Sequence, residues 1–315
     1  MPTLVIINNT AAKARRAWPL VKKELDAAGI QFSFYETRSA GDATSQARAA
    51  LKSGVNTIAV VGGDGTLSEV AEGFFEFNDD LDQLPTAINP EARLAILPAG
   101  TGDDFARGLR GERATLQSWI DTLIQPASEI QVDVLYGRCD GFDKAFICLN
   151  ASTMGIGGET AARVTAQGNV WRKFSGEFRF VAAAVGALAV WRERRVRITV
   201  DGRLVSDSPM NLIGVANGLY AGGGMMLSPD ARCDDGKLDV VTASGLSRGQ
   251  VVTELARVHR GGHINNPKVK ITQGEIVRIE TFMLQDAMPI EADGNLRGLT
   301  PVQFQVIRGA LKVLV

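Results

Sequence analysis

Short apolar runs alternate along the first part of the chain with stretches where apolar residues recur every three or four positions. Leu4 to Ile7 is a run of apolar residues ended by Asn8-Asn9-Thr10, and it reads as a buried strand. A helix follows over about Arg15 to Ala28, with Gly29 as its stop. Gln31 to Glu36 alternates as a second strand, and Gly41-Asp42 opens a helix to about Lys52. Thr57 to Val61 is a third strand, after which Leu67, Val70, Ala71 and Phe74 return to helical spacing. Leu94 to Leu97 is a fourth, followed by a glycine-rich loop and a short helix from Phe105. This β-α alternation predicts a parallel sheet covered on both faces.

The texture changes after Pro126. Strands are predicted at Gln131 to Tyr136, Lys144 to Leu149, Val196 to Val200, Met210 to Val215 and Leu238 to Thr242. Three more follow at Val269 to Ile271, Ile276 to Ile279 and Gln303 to Ile307. Helices intervene at about Gly157 to Thr165, Phe174 to Trp191 and Ser247 to Arg257. Such strand density with turn punctuation predicts a β-sandwich or barrel-like second domain. The fold class is therefore α/β plus all-β, with domains 1–133 and 134–315 and the last strand a candidate to return to the first domain. Two domains suit a chain of 315 residues.

Composition narrows the function classes. A formal net charge of −1 leaves no basic excess to suggest a nucleic-acid binder. Cys139, Cys148 and Cys233 lack metal-site spacing, which points to a reducing cytoplasm. The N-terminus has no basic stretch before its first apolar run, so it is not read as a signal peptide. The apolar run from Phe180 to Trp191 is shorter than the ~20 residues a membrane span needs.

The chemistry concentrates in loops. Gly62-Gly63-Asp64-Gly65-Thr66 joins a buried strand to a helix. Glycines let backbone approach a ligand, and the helix start favours an anion, phosphate above all. Asp64 would repel phosphate, so either Mg²⁺ lies nearby or its carboxylate holds the loop by accepting backbone N–H bonds. A plain β-to-α turn is the alternative. Pro98 to Asp104 is a second such loop, and both fall at the carboxyl edge of the sheet. Four later stretches also stand out: Asn150 to Gly158, Ala216 to Gly224, Pro229 to Leu238, and Ile290 to Asn295. The first two are glycine-rich turns. Asp235-Gly236 and Asp293-Gly294 each suit a hairpin turn, a metal site at the former or a general base near the latter.

Together these stretches resemble the bacterial diacylglycerol kinase family of soluble lipid kinases, the YegS-like group, related to sphingosine and ceramide kinases. The resemblance runs end to end. It rests on Gly62 to Thr66, on Leu97-Pro98-Ala99-Gly100-Thr101-Gly102-Asp103-Asp104-Phe105-Ala106-Arg107, on Asn217-Gly218 with the triple glycine after it, on Asp234 to Leu238, and on Asp293-Gly294. Only the first is shared with NAD kinases and phosphofructokinases. The resemblance implies ATP and Mg²⁺, a cleft between the two domains, and a lipid met at the inner membrane surface by a cytoplasmic, peripheral enzyme that could be a homodimer. It implies ATP contacts from Asn8, Thr37, Gly62, Gly63, Asp64, Gly65, Thr66, Glu69 and Thr101. Asp64, Asp104 and Asp133 would form a network with water and Mg²⁺. Asp235 would bind Mg²⁺ by its side chain, with Arg232 and Lys237 giving backbone carbonyls. His263 and Pro267-Lys268-Val269 match a loop the family carries.

Two positions depart from the family pattern. Asp103 replaces the usual Asn, and Asn295 replaces the Glu expected to take the proton from the lipid hydroxyl. Asp293 and Glu291 are the nearby candidates to replace it, and the catalytic set is read as Asp293, Asn295 and Asp64. The expected function is ATP- and Mg²⁺-dependent phosphorylation of a diacylglycerol-like lipid. The rivals are a non-catalytic regulator, motivated by Asn295, and a kinase of a soluble acceptor such as NAD. The segment Phe174 to Trp191, flanked by Arg192, Arg194 and Arg195, reads either as a lipid entrance or as a core helix.

Overall fold

The structure is a computed structural model that describes residues 3–80, 82–111, 113–140, 144–167 and 176–315. The first unit begins β1 (Thr3–Ile7), α1 (Ala12–Ala27), β2 (Phe32–Glu36), α2 (Asp42–Lys52), β3 (Thr57–Gly62) and α3 (Asp64–Glu72). It continues β4 (Arg93–Pro98), α4 (Asp104–Arg110) and α5 (Leu116–Ile124). The parallel strands run in the order β2-β1-β3-β4. β1 and β3 are buried along their whole length, as the continuous apolar runs predict for strands covered on both faces. Right-handed crossovers put α1 on one face and α2 with α3 on the other; α5, absent from the sequence reading, packs beside α1. The winding order reverses at β1, with β2 on one side of it and β3, parallel to it, on the other. That makes the loops after these two strands a ligand crevice in an open α/β sheet.

The rest is dominated by antiparallel strands. These are β5 (Glu129–Cys139), β6 (Ala145–Cys148), β7 (Ala151–Gly155), β8 (Arg194–Val200), β9 (Arg203–Met210), β10 (Leu212–Ala216), β11 (Leu238–Ala243), β12 (Val269–Gly274), β13 (Ile276–Glu280), β14 (Pro289–Ala292), β15 (Asn295–Leu299) and β16 (Val302–Leu314). Three helices punctuate them: α6 (Ile156–Ala166), α7 (Gly176–Val190) and α8 (Arg248–Val258). The expected helix start at Phe174 lies outside the described residues. Ser247 caps α8 in a reciprocal capping box with Gln250.

β16 joins the two parts of the sheet. Its first residues pair antiparallel with β13, Lys312 and Val313 pair parallel with β4, and β5 runs along its other edge. A second, six-stranded sheet runs β12-β11-β10-β7-β14-β15. The two sheets share a core that includes Leu135, Phe146, Val215, Val240, Ile290 and Phe304. Helices α6, α7 and α8 cover the other side of the second sheet and enclose a cavity there.

Two of the expected stretches take another form. Asn150 to Gly158 is not simply a turn: Ala151–Gly155 is a strand in the middle of the second sheet, and a helix starts at Ile156. Small residues suit a strand pressed between two neighbours, yet they carry little β signal in sequence. The run Met210 to Val215 is broken at Asn211, whose side chain bonds both backbone groups of Leu246.

Candidate active site

Three loops meet at the mouth of the crevice. The loop after β1 reaches the one after β3 through Asn8, whose Nδ2 donates to Thr66 Oγ1 at 2.7 Å. Asn8 Oδ1 accepts from the Thr10 backbone at 3.0 Å and from the Thr10 hydroxyl at 2.7 Å. The loops after β3 and β4 touch backbone to backbone, so a Cβ at position 63 would lie 3.0 Å from the Gly100 Cα. Thr37 is buried at the end of β2, its N–H bonded to the Ile7 carbonyl at 2.9 Å. Glu69 faces the start of α2, accepting from the Gly41 N–H at 3.3 Å, and burial raises its pKa against that bond. Thr101 is exposed.

The acidic side chains of these loops hold backbone. Asp64 Oδ1 accepts the Phe105 N–H at 3.0 Å, the second of the two roles its sequence position allowed. Asp103 is left-handed at φ 51° and accepts the Gly100 N–H at 2.7 Å. Burial raises its pKa most, with Asp64 adding to the rise. Asp104 Oδ2 accepts the Gly223 N–H at 2.8 Å, tying the triple-glycine turn to this unit. Its Oδ1 is buried without a partner among the described residues. Burial first, then the charge of Asp64, pushes Asp104 up to about 7 against the bonds from Gly223 and Gly224.

The second unit supplies the turn between β14 and β15. Asp293 and Gly294 have φ 46° and 85°, the left-handed pair that a tight hairpin turn needs. The Asp293 carboxylate accepts from Leu149 N at 2.6 Å, Asn150 N at 3.0 Å and Ala151 N at 3.3 Å. Both oxygens thus staple the turn to the start of β7. Asn295 Nδ2 donates to the Gly65 carbonyl at 3.2 Å, so it clasps the glycine loop from across the cleft. Glu291 lines the cavity. It accepts from the Thr153 hydroxyl and the Gly294 N–H, both at 2.6 Å. Burial, outweighing these two bonds, raises its pKa to about 7.

The remaining expected residues lie apart from this mouth. Asp133 is buried and accepts from Gly236 N at 2.6 Å and Gly309 N at 2.7 Å. It therefore pins the Asp235-Gly236 turn to the last strand. Asp235 is exposed and accepts the Lys237 N–H at 3.0 Å, while Arg232 pairs with Asp234 at 3.1 Å. Among the described residues no group of three or more His, Cys, Asp or Glu side chains could hold a metal alone.

Two cations at the mouth escaped the sequence reading. Lys13 Nζ donates to the Gly100 carbonyl at 3.0 Å, and Arg113 donates to the Thr101 and Gly102 carbonyls. A signal for the first existed. The first turn of α1 carries Lys13 and Arg15 and no acid, the wrong sign for a helix N-terminus but the right one beside phosphate.

The mouth opens into a cavity of about 390 Å³ that runs between the second sheet and helices α6 to α8. Asp64, Asp104 and Glu291 stand at its entrance, and residues such as Val164, Leu212, Val251 and Leu255 line its interior.

Comparisons with known proteins agree with this division. Residues 2–135 match the diacylglycerol kinase catalytic domain, and residues 153–315 match the YegS C-terminal NAD kinase beta sandwich-like domain. A diacylglycerol kinase of Staphylococcus carnosus is 29% identical over 315 residues, covering 98% of this chain and 93% of its own length. One from Bacillus subtilis is 26% identical over 303 residues, covering 95% and 91%. A crystal structure of a diacylglycerol kinase from Bacillus anthracis str. Sterne superposes with a TM-score of 0.68 at 23% identity, over 99% of this chain and 96% of that one; at that identity it speaks to the fold. The chain belongs to the YegS-like family of bacterial diacylglycerol kinases, a family of lipid kinases.

Proposed function

We propose that this chain transfers the γ-phosphoryl group of ATP, with Mg²⁺, to the hydroxyl of a lipid. The observation that carries the reading is a single cavity whose acidic, glycine-loop entrance leads into an apolar interior. A phosphate donor suits the first part and a hydrocarbon chain the second. In this reading Gly62 to Thr66, Thr101, Asn8, Lys13 and Arg113 surround the nucleotide phosphates. The orphaned Asp104 Oδ1, buried near the Asp64 charge, suits a hydrated cation. Mg²⁺ would be held there mainly through nucleotide oxygens and water, where it would neutralise charge on the phosphates. Asp235 with the Arg232 and Lys237 carbonyls is a second proposed Mg²⁺ position.

The acceptor oxygen attacks the γ-phosphorus, and the bond to the β–γ bridging oxygen breaks to release ADP. The hydroxyl proton passes to Glu291, which lies in the cavity with a pKa of about 7, near the optimum for a base at neutral pH. Asp293 is less suited because backbone N–H groups occupy both its oxygens. Asn295 positions the glycine loop instead.

Among the described residues no helix is long and apolar enough to cross a membrane. Peripheral binding from the cytoplasm is the proposed mode. Val181 and Val185 of α7 and Phe282 and Leu284 beyond β13 are exposed, Leu284 by 98%. Arg192 ties the two stretches together by bonding the Gln285 carbonyl at 3.0 Å. Ala184, on the same helix, lines the cavity. Transfer of label from [γ-³²P]ATP into an organic-extractable product tests the reading, with NAD as the soluble control acceptor.

A further inference from the structure

Arg297 is the extra residue of a β-bulge. Glu291 stands opposite Leu296 and Ile290 opposite Gly298, so Arg297 of β15 has no opposite number on β14. A bulge re-aims the side chain it carries, and this one sends it to α3. Arg297 Nη1 donates to Glu72 Oε2 at 3.1 Å, and Nη2 lies 3.5 Å from Ser68 Oγ. The guanidinium also stands 5.4 Å from the centre of the Phe146 ring on β6. The two charged side chains expose only 14% and 18% of their surface, so salt screens this pair less than an exposed one.

Glu72 gains its partner at a cost elsewhere. It is the last residue of α3, where a negative charge opposes the helix dipole. Its Oε2 also accepts the Ile147 N–H at 3.4 Å, and Ser68 donates to the Ile147 carbonyl at 3.2 Å. Gly65, Ser68 and Glu72 follow helical spacing and share one face of α3. β15 grips that face near both ends, Asn295 at the Gly65 carbonyl and Arg297 at Glu72. The start of α3 is the glycine loop, and the bulge lies opposite Glu291. The two grips therefore connect the elements that carry the donor and acceptor ends of the site.

We propose that Arg297 is a positioning residue, which through Glu72 fixes the axis of α3 against β14 and β15 and so sets the alignment of the phosphate donor with the acceptor hydroxyl. One bond at Gly65 is a pivot; a second at the far end of the helix stops rotation about it. The inference rests on the lipid-kinase reading for what stands at each end. Without the pair each half of the site keeps its own contacts, so nucleotide binding persists while alignment is lost. Misplacement by about 1 Å can cost up to ~10²-fold in rate.

The variants are Arg297→Met, Glu72→Gln, which keeps an oxygen for the Ile147 N–H, and the two combined. Thermal unfolding shows that each folds. The expected result is a kcat lower by about ten-fold or more in each single variant, with KM for ATP and its calorimetric affinity within about two-fold of the wild type. The double variant should fall no further than the singles. Amide hydrogen exchange gives a readout that needs no transfer. ATP with Mg²⁺ should slow exchange over residues 64–72 in every protein, but over 295–299 in the wild type alone. Wild-type kcat in a folded single variant overturns the proposal. So does a loss of ATP affinity equal to the loss of kcat, a double variant whose loss is the product of the two single losses, or protection of 295–299 that is the same in wild type and variants. The expected exchange result in a wild type that phosphorylates no lipid alcohol overturns the kinase reading alone. Lipid phosphorylation with kcat unchanged in both single variants overturns this inference alone.

Discussion

Replacing Glu291 by Gln should move stability and activity in opposite directions. Burial lifts the Glu291 pKa from 4.5 to about 7, so folding takes up a proton between those values. The stability contributed by the protonated form is fully present below pH 4.5 and is lost as pH rises through 7. At ~1.4 kcal/mol for each pKa unit, the ionised carboxylate costs the fold ~3 kcal/mol at pH 8. Gln carries no such cost. It also cannot accept from both the Thr153 hydroxyl and the Gly294 N–H, which returns ~1 kcal/mol. Glu291→Gln should then be more stable than the wild type by ~2 kcal/mol at pH 8 and no more stable at pH 4.5. Denaturant unfolding at the two pH values reads this directly. Over the same range wild-type kcat should rise with pH to a plateau above 7. The variant should lose that limb and fall ~10²-fold in rate. Equal stability of the two proteins at pH 8 would refute the burial argument. A variant with full activity would refute the role as base.

Gly63→Val should lose ATP affinity by at least ten-fold in titration calorimetry, because its Cβ would stand 3.0 Å from the Gly100 Cα and its methyls would part the two phosphate loops. Asp133→Ala should destabilise the fold by ~3 kcal/mol in urea, since it leaves the Gly236 and Gly309 N–H groups without their acceptor. Asn295→Glu removes the donor to the Gly65 carbonyl and adds a charge near Asp64. The expected result is a several-fold higher KM for ATP with no gain in kcat, against the rate increase that restoring the family glutamate would suggest. Asp235→Asn should shift the Mg²⁺ activation curve to higher concentration without changing the unfolding midpoint.

The parallel sheet was legible because β1 and β3 each carry four consecutive apolar residues, Leu4 to Ile7 and Ile58 to Val61, and no helical period offers a rival. The hairpin at Asp293-Gly294 was legible for a similar reason, its two residues being the pair that tolerates φ > 0. β7 was not, because Ala151, Ser152 and Thr153 owe their strand to neighbours distant in sequence. At the site, sequence marked the glycine loops and their acids but not their partners. Asp64 reaching Phe105 and Asp293 reaching Leu149 are contacts between distant segments, and no spacing rule encodes them. The same holds for Glu291. Its position beside the missing glutamate was visible, but the burial that raises its pKa arises only when α6 closes over the second sheet.

Lipid phosphorylation is tested most directly with [γ-³²P]ATP, Mg²⁺ and detergent-dispersed lipid alcohols, with NAD in parallel and organic extraction of the product. A lipid kinase gives Mg²⁺-dependent label in the organic phase, none on NAD, and loss of the signal in Gly63→Val. Label on NAD with none on any lipid alcohol would contradict it.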